Sequence, residues 1–192
     1  MAVGARSATA APDVDAAQAV IKDLGQEVLA VLGPDGQKDE QQLEKLIVLL
    51  QQAIDLEVTG RLILAKNWRR ASEEQREVYL DLFQPYALDS LASKIRASSA
   101  ETPLETFDII KGEVVGKKDV MVSTNLYWPG YPPYQLDWRL RGQDDGSYQA
   151  IDVMVQGISM VVSQRAEFSS VIERRGLDGL LEQMRDQVGR QL

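Results

Sequence analysis

The 192-residue chain contains neither histidine nor cysteine. Their absence excludes Ser-His and Cys-His nucleophiles and every metal site that needs imidazole or thiolate ligands. Any catalysis would have to depend on carboxylates, Lys, Tyr or Ser. A chain without cysteine is compatible with an oxidising compartment and equally with the cytosol, so this absence says nothing about location.

Long apolar runs and excess positive charge are also missing. No run approaches the roughly 20 apolar residues that cross a bilayer. The formal net charge of -8 argues against nucleic acid and anionic membrane surfaces as partners, because both attract basic patches. With 44% apolar and 26% charged residues, the composition is typical of a globular protein that builds its own core without a disulfide or metal.

The beginning of the chain, MAVGARSATAAP, is rich in alanine and lacks the apolar stretch of a signal peptide. Its Ala8-Thr9-Ala10 string is similar to the small-residue end of such a peptide. We expect residues 1–15 to be a disordered leader, or a signal-peptide or cloning remnant. Residues 16–192 are then expected to form a single domain, with a helical lobe at about 16–98 and a sheet with C-terminal helices at about 103–190.

Apolar residues recur at helical spacing throughout the first half of the chain. A capping-box pattern at Ser72 and Gln75 starts the last of these helices. Pro85 within it predicts a kink or a break, because proline lacks the amide hydrogen that the helix needs. The predicted helices cover residues 13–32, 38–52, 55–67 and 72–95, and a Gly-Pro-Asp-Gly turn at 33–36 ends the first.

Beyond a polar hinge at 97–103, the spacing changes to that of β-strands. Alternation predicts four strands at 107–115, 120–128, 135–141 and 148–156, with a hairpin turn at Asp145-Gly146. One face of each strand is apolar, and the sets that share a face are Val120, Val122, Thr124 and Leu126, then Leu136, Trp138 and Leu140, then Ile151, Val153 and Val155.

Helical spacing resumes at Ile158, and Gly176 is predicted to end that helix before a last short one. The order of helices, then a four-stranded meander, then helices indicates an α+β fold.

Three segments resemble catalytic or metal-binding motifs only weakly. Gly157-Ile158-Ser159 follows a strand and opens a helix, but it lacks the second glycine of a nucleophile elbow, so Ser159 is better interpreted as a helix cap. Asp152 and Glu167 flank this turn and would be the acid and base of a carboxylate enzyme, yet solvated faces or salt bridges to Arg165 and Arg139 are the better interpretation. Asp144-Asp145 has no calcium-loop spacing around it.

The segment Trp128-Pro129-Gly130-Tyr131-Pro132-Pro133-Tyr134 joins two strands and is unusually rich in rings. Such a loop either gates a cavity or docks a partner, or it is only a rigid connection with its rings folded onto the sheet. Periodicity alone also leaves open whether the apolar strand faces enclose a filled core or a ligand cavity.

Two stretches of the sequence resemble the MlaC family, also called the toluene-tolerance family, of periplasmic phospholipid-binding proteins. The first, DLEVTGRLILAKNWRRASEEQ at 55–75, is similar to the family's Asp-led helix, Leu-Gly-x-x-Trp-Arg turn and following helix start. The second, at 137–179, contains DWRLR, then YQAIDVMVQGISMVVSQRAEFSSVI, then RRGLDGL, in the family's order. The hopanoid-associated HpnM branch is similar over the same strings.

The sequence departs from the family pattern at three positions. Ala65 stands where we expect glycine, Trp138 stands where tyrosine is common, and Pro85 interrupts a helix that is often continuous. None of them removes a catalytic group, because the family implies none.

The resemblance implies a carrier built on a curved four-stranded antiparallel sheet of the nuclear-transport-factor-like kind. N- and C-terminal helices would cover this sheet and enclose an apolar cavity. It also implies a monomer in the periplasm, its signal peptide absent from this chain, that neither needs a cofactor or metal nor catalyses a reaction. Its cargo would be phospholipid or another lipid such as a hopanoid. Its partners would be an inner-membrane MlaD-like component of an ABC transporter complex and an outer-membrane MlaA-like lipoprotein complex.

On this basis we predict which side chains line the cavity. Because residues two apart cannot both face inward on a regular helix, either Leu62 or Leu64 is expected to point elsewhere. The predicted lining residues are Leu62, Leu64, Tyr79, Phe83, Val120, Val122, Trp138, Leu140, Val153, Val155, Ile158, Val162 and Phe168. Two other classes of function stay open: a small enzyme that uses Asp152, and an adaptor that docks through the loop at 128–134 and carries nothing.

Overall fold

The computed structural model describes residues 11–32, 39–97 and 104–189. The first ten residues of the predicted leader, the turn at 33–36 and all but the first residue of the hinge at 97–103 lie outside the described residues. In chain order the elements are α1 (Val14–Leu32), α2 (Glu40–Ala53), α3 (Leu56–Leu64), α4 (Lys66–Arg70), α5 (Glu73–Ala97), β1 (Thr106–Val115), β2 (Asp119–Tyr127), β3 (Tyr134–Gly142), β4 (Tyr148–Val155), β5 (Ile158–Ser159) and α6 (Met160–Gly189).

Side-chain caps fix the starts of the N-terminal helices. Asp39 and Gln42 form a reciprocal capping box at α2, and Asp55 accepts the amide hydrogen of Val58 at 2.9 Å at the start of α3. The predicted capping box before α5 is confirmed: the Gln75 amide donates to Ser72 Oγ, and the Ser72 amide donates to Gln75 Oε1, both at 3.1 Å. These bonds satisfy amide groups that have no partner inside the helix.

The predicted helix at 55–67 is wrong in one respect, since it is two helices. Ala65 adopts φ 49° and ψ -114°, which ends α3 and begins α4. Only glycine occupies this region of backbone space without steric cost, so the family's glycine at this position has a physical reason. In contrast, α5 continues through Pro85, where a kink or a break was predicted.

The sheet is antiparallel, and its strands follow chain order from β1 to β5. The four predicted strands are present, and the fold is α+β as predicted. The fifth strand, β5, is only two residues long, too short to produce an alternating pattern, so it was not predicted. It forms because Gln156 and Gly157 both have positive φ, 50° and 79°, and turn the chain back onto β4.

Two bulges interrupt the ladder and bend the sheet. On β1, Ile109 pairs with Thr124 and Lys111 with Ser123, so Ile110 is the extra residue. On β4, Ala150 pairs with Leu140 and Asp152 with Arg139, so Ile151 is the extra residue. A bulge reverses the alternation beyond it and increases the local bend and twist.

The last element, α6, is two helical segments with a corner between them. Gly176 has φ 72° and ψ 176°, which ends the first segment where the sequence predicted a helix end. The second segment buries Leu180, Leu181 and Met184 against the helical core.

In the described residues, apolar side chains form two separate cores. One lies among the helices α3, α5 and α6, where Tyr79, Phe83 and Phe168 are buried together. The other lies under α1, where Ala17 and Ile21 pack on Val120, Val122 and Leu140 of the sheet. Between these two cores, side chains leave part of the interior unfilled.

Candidate binding cavity

A cavity of about 600 Å³ lies between the sheet and the helices. Its volume is within the range of roughly 300–1,000 Å³ that is usual for sites that bind small molecules. The helical part of its wall is mostly apolar and includes Leu24 and Val28 of α1, Leu46 and Leu50 of α2, Ile63 of α3, and Phe83, Ala87 and Leu91 of α5. The cavity that the family resemblance implies is therefore present, which weighs against an adaptor with a filled core.

One end of the inward face of the sheet forms part of the cavity wall. Thr124, Leu126, Leu136, Trp138, Val153 and Val155 line the cavity. Register explains the grouping, because Leu136 pairs with Thr124 and Val155, while Trp138 pairs with Val153. These side chains come from adjacent strands and point to the same side.

Polar atoms within this apolar wall are paired with one another. The indole Nε1–H of Trp138 donates to Thr124 Oγ1 at 3.1 Å, and the Thr124 hydroxyl donates to the Leu136 carbonyl at 3.0 Å. Because both groups have partners, neither needs water from the cavity. Trp138 thus presents its ring to the cavity at no hydrogen-bonding cost.

Four of the thirteen predicted lining residues line this cavity: Phe83, Trp138, Val153 and Val155. Whether they contact lipid stays a prediction. The sequence signals for them were the apolar stripe of α5 for Phe83, and the alternation on β3 for Trp138 and on β4 for Val153 and Val155.

The other nine predicted residues do not line it. Three of them lie on the predicted face of the sheet but are fully buried under α1: Val120, Val122 and Leu140. Leu64, Tyr79 and Phe168 belong to the helical core, and Leu62 packs against that core from its edge. Ile158 and Val162 are 61% and 56% exposed to solvent.

On α3 neither Leu62 nor Leu64 lines the cavity, although one of the two was expected to face it. Ile63 between them lines the cavity, while the Leu62 carbonyl accepts two hydrogen bonds from the Arg165 guanidinium. Tyr79 is buried in the helical core, where its hydroxyl donates to the Gly60 carbonyl at 3.0 Å.

On β4 the bulge changes which residues share a face. The sequence groups Ile151 with Val153 and Val155, but Ile151 is the extra residue and is fully buried outside the cavity wall. Ala150 lines the cavity in its place. The same region is tied to the helices, since Ile54 forms a bridge with Ala150 and Thr59 Oγ1 donates to the Ile151 carbonyl at 3.3 Å.

Sequence reasoning missed most of the wall that the N-terminal helices provide. The apolar stripes of α1 and α2 were visible, but periodicity does not say whether a stripe meets a core or a void. One usable signal was Gly25 in the interior of α1, because a glycine there often permits a close approach. It lines the cavity, and a Cβ atom at this position would clash with the ring of Phe107.

The loop at 128–134 contributes to the wall through its first ring. Trp128 lines the cavity and packs edge-on against Tyr134, with ring centroids 6.1 Å apart. Tyr131 at the tip is 67% exposed. This geometry places the start of the loop at the edge of the cavity, and a role of the loop in gating or in docking a partner stays a prediction.

Polar side chains concentrate where α5 and α6 meet the cavity. Gln164 Nε2 donates to Glu167 Oε2 at 2.9 Å, and Tyr86 lies beside them. Burial, and after it the negative charge of Glu167, raise the pKa of Tyr86. The Tyr86 phenol is therefore a neutral hydrogen-bond donor at physiological pH.

Asp152 lines the cavity but has a structural task. Its carboxylate accepts a hydrogen bond from Ser159 Oγ at 2.5 Å and another from the Val161 amide at 3.1 Å. Ser159 Oγ in turn accepts the Val162 amide at 3.0 Å, so it caps α6 as the sequence predicted. A carboxylate engaged in this way at a helix start is a poor candidate for an acid or base catalyst.

The part of the chain that the structure describes contains no group of three or more Asp or Glu side chains placed to hold a metal ion. Among its helices, none combines the length and the apolar character that a membrane span needs.

Comparison with known proteins agrees with this architecture. The family model described as MlaC protein matches residues 22–186. Among solved structures, the chain is similar to the phospholipid-binding protein from Ralstonia solanacearum, determined in complex with a phospholipid. The two are 21% identical, the match covers 91% of this chain and 97% of that chain, and the TM-score is 0.72. At this identity the likeness shows a shared fold.

Proposed function

The chain belongs to the MlaC protein family, and from that premise we propose that it is a carrier that holds the acyl chains of a phospholipid in the cavity. The observation that carries the proposal is the cavity of about 600 Å³ with its mostly apolar wall. The similar Ralstonia protein, whose structure contains a phospholipid, supports the same cargo.

The energetics explain why such a carrier is needed. Each buried CH₂ group contributes roughly 0.8 kcal/mol, so two acyl chains of about 16 carbons hold a lipid in its membrane by about 25 kcal/mol. A lipid therefore leaves a membrane unaided very slowly. A protein that offers an apolar cavity replaces the lost contacts without any chemistry, and a chain without His or Cys is sufficient for this task.

We further propose that the protein works in the periplasm and as a monomer. It would exchange phospholipid with an MlaD-like component of an inner-membrane ABC transporter complex and with an MlaA-like lipoprotein complex at the outer membrane. Such exchange would contribute to the lipid asymmetry of the outer membrane. We expect no enzymatic turnover, since Asp152 is engaged in capping α6.

The test is native mass spectrometry of freshly purified protein, followed by identification of any released lipid. The expected result is a complex with phospholipid that survives purification. Leu126→Arg, which places a cation in the cavity wall, should remove the lipid, whereas Val48→Arg at a 49% exposed position on α2 should retain it. Protein that is uniformly empty after expression with its native membranes would contradict the proposal, and bound hopanoid would assign it a different cargo.

The proposed partners need a separate experiment. Lipid-loaded protein should pass its lipid to vesicles that contain the MlaD-like component faster than to vesicles without it. Equal rates with and without that component would contradict the partner assignment but not the carrier function.

A further inference from the structure

Among the described residues that line the cavity, the charged side chains are all acidic. Asp152 and Glu167 line it, and none of the described lining residues is lysine or arginine. The described part of the wall therefore offers no cation that could pair with the phosphate that every phospholipid carries. Its electrostatic character is the opposite of a phosphate-binding site.

The two carboxylates differ in their availability. Asp152 is occupied by the Ser159 hydroxyl and the Val161 amide. Glu167 is exposed to solvent, lines the cavity, and accepts one hydrogen bond, from Gln164 Nε2. A carboxylate has about four lone-pair positions, so Glu167 retains acceptor capacity where the cavity meets water.

The arginine closest to Glu167 along α6 does not neutralise this carboxylate. Arg165 directs its guanidinium to the Leu62 carbonyl, with Nη2 and Nε at 2.7 and 3.1 Å from the oxygen. No ion pair between Glu167 and a basic group is found in the described part of the chain. Within the described residues, the carboxylate of Glu167 is therefore an unneutralised negative charge at the mouth of the cavity.

We propose that the carboxylate of Glu167 selects phospholipids with an ammonium group in the head group over anionic phospholipids that lack one. The inference rests on the proposed carrier function and adds a head-group class to it. With the acyl chains in the cavity and the head group at the mouth, the ammonium of phosphatidylethanolamine can pair with Glu167. The glycerol of phosphatidylglycerol offers no such charge, and its unbalanced phosphate is repelled.

The expected effect is modest because Glu167 is solvent-exposed. Exposed ion pairs contribute about 0.2–1 kcal/mol, which corresponds to a preference of at most about fivefold. Screening should weaken the preference as salt concentration increases.

The experiment loads delipidated protein from vesicles that contain equal amounts of phosphatidylethanolamine and phosphatidylglycerol with identical acyl chains. Bound lipids are then quantified by mass spectrometry at low and high salt. For the unaltered protein, the bound pool should be about two- to fivefold enriched in phosphatidylethanolamine at low salt. Glu167→Gln should abolish the enrichment, and Glu167→Lys should reverse it.

The matched control is Glu173→Gln, which removes a carboxylate from an exposed position on α6 outside the cavity wall and should leave the ratio unchanged. Equal uptake of the two lipids by the unaltered protein, or an enrichment that survives in both Glu167 variants, would overturn the inference while leaving the carrier function intact. Failure of every variant and of the unaltered protein to bind any lipid would instead overturn the carrier function, and the inference with it.

Discussion

Val122 and Thr124 lie two residues apart on β2 and point to the same side of the sheet, yet Val122 packs beneath α1 while Thr124 lines the cavity. The boundary between filled core and open cavity therefore crosses a single strand. Alternation fixes which side of the sheet a residue faces. Whether that side is covered depends on where α1 crosses the sheet.

Ala65→Gly should stabilise the protein. Ala65 adopts φ 49° and ψ -114° between α3 and α4, a conformation that costs a residue with a Cβ atom about 1–3 kcal/mol. Glycine removes that cost but increases the entropy of the unfolded chain by about 0.4–1 kcal/mol. We expect a net gain of about 1 kcal/mol and a Tm increase of roughly 2–4 °C, measured by thermal unfolding.

The control for this change is Ala19→Gly, at an exposed position in the interior of α1. There glycine should cost about 1 kcal/mol, because the backbone is helical. If both changes lowered the Tm, the strained backbone at Ala65 would be refuted.

Asp119→Asn should destabilise the fold in a pH-dependent manner. Asp119 is almost fully buried and pairs with Arg139 at 2.5 Å and Arg141 at 2.7 Å. Burial alone would raise the pKa of Asp119, but the hydrogen bonds from Arg141 and Arg139 outweigh it and lower the pKa. Because both arginines are partly exposed, we expect a loss of about 2 kcal/mol in urea unfolding at pH 7.

The direction of the pH effect follows from the lowered pKa of Asp119. The stability that its charge contributes is fully present above the unfolded-state pKa of about 3.9 and is lost as pH falls through the lower folded-state pKa. The difference between the unaltered protein and Asp119→Asn should therefore be constant from pH 7 to about pH 5 and shrink below about pH 4. An exposed control, Asp23→Asn, should show little difference at any pH. A difference that grew on acidification would contradict the assignment.

The fold class, the four main strands and most of the helices could be predicted from the spacing of apolar residues and from caps such as Ser72 with Gln75. The division of the predicted helix at 55–67 by Ala65 could not. The cavity wall could not, for local physical reasons. The bulge at Ile151 reverses the alternation of β4 without any sign in the sequence. The apolar residues near the start of α1 pack in the core, and those near its end line the cavity. Their spacing is the same in both places.

Asp152→Asn should affect stability and not chemistry. The carboxylate accepts hydrogen bonds from Ser159 Oγ and the Val161 amide at the start of α6, and weakening them should cost about 1 kcal/mol. Ser159→Ala should cost a similar amount, because the same helix start loses its capping hydroxyl. In both variants, mass spectrometry should find intact lipid in the same amount as in the unaltered protein. Lipid breakdown products that appear with the unaltered protein and vanish in Asp152→Asn would reveal an enzyme.

Three valine-to-glutamate changes should separate cavity, core and surface. Val155 lines the cavity, Val122 is fully buried under α1, and Val114 on β1 is 50% exposed. A carboxylate at Val155 can be hydrated by an empty cavity, so Val155→Glu should fold with a modestly lowered Tm and purify without lipid. At Val122 the charge would have no water or partner, which costs several kcal/mol, and Val122→Glu should be mostly unfolded.

Val114→Glu is the control, since it adds the same charge to the same kind of strand position at the surface. It should fold and retain its full lipid content. Circular dichroism measures whether each of the three variants is folded, and mass spectrometry of the purified proteins measures their lipid content. A folded Val155→Glu that still carries a full complement of lipid would show that Val155 does not contact the acyl chains. An unfolded Val155→Glu would show that its surroundings are as dry and closed as those of Val122, because only a region that water can enter tolerates an unpaired carboxylate.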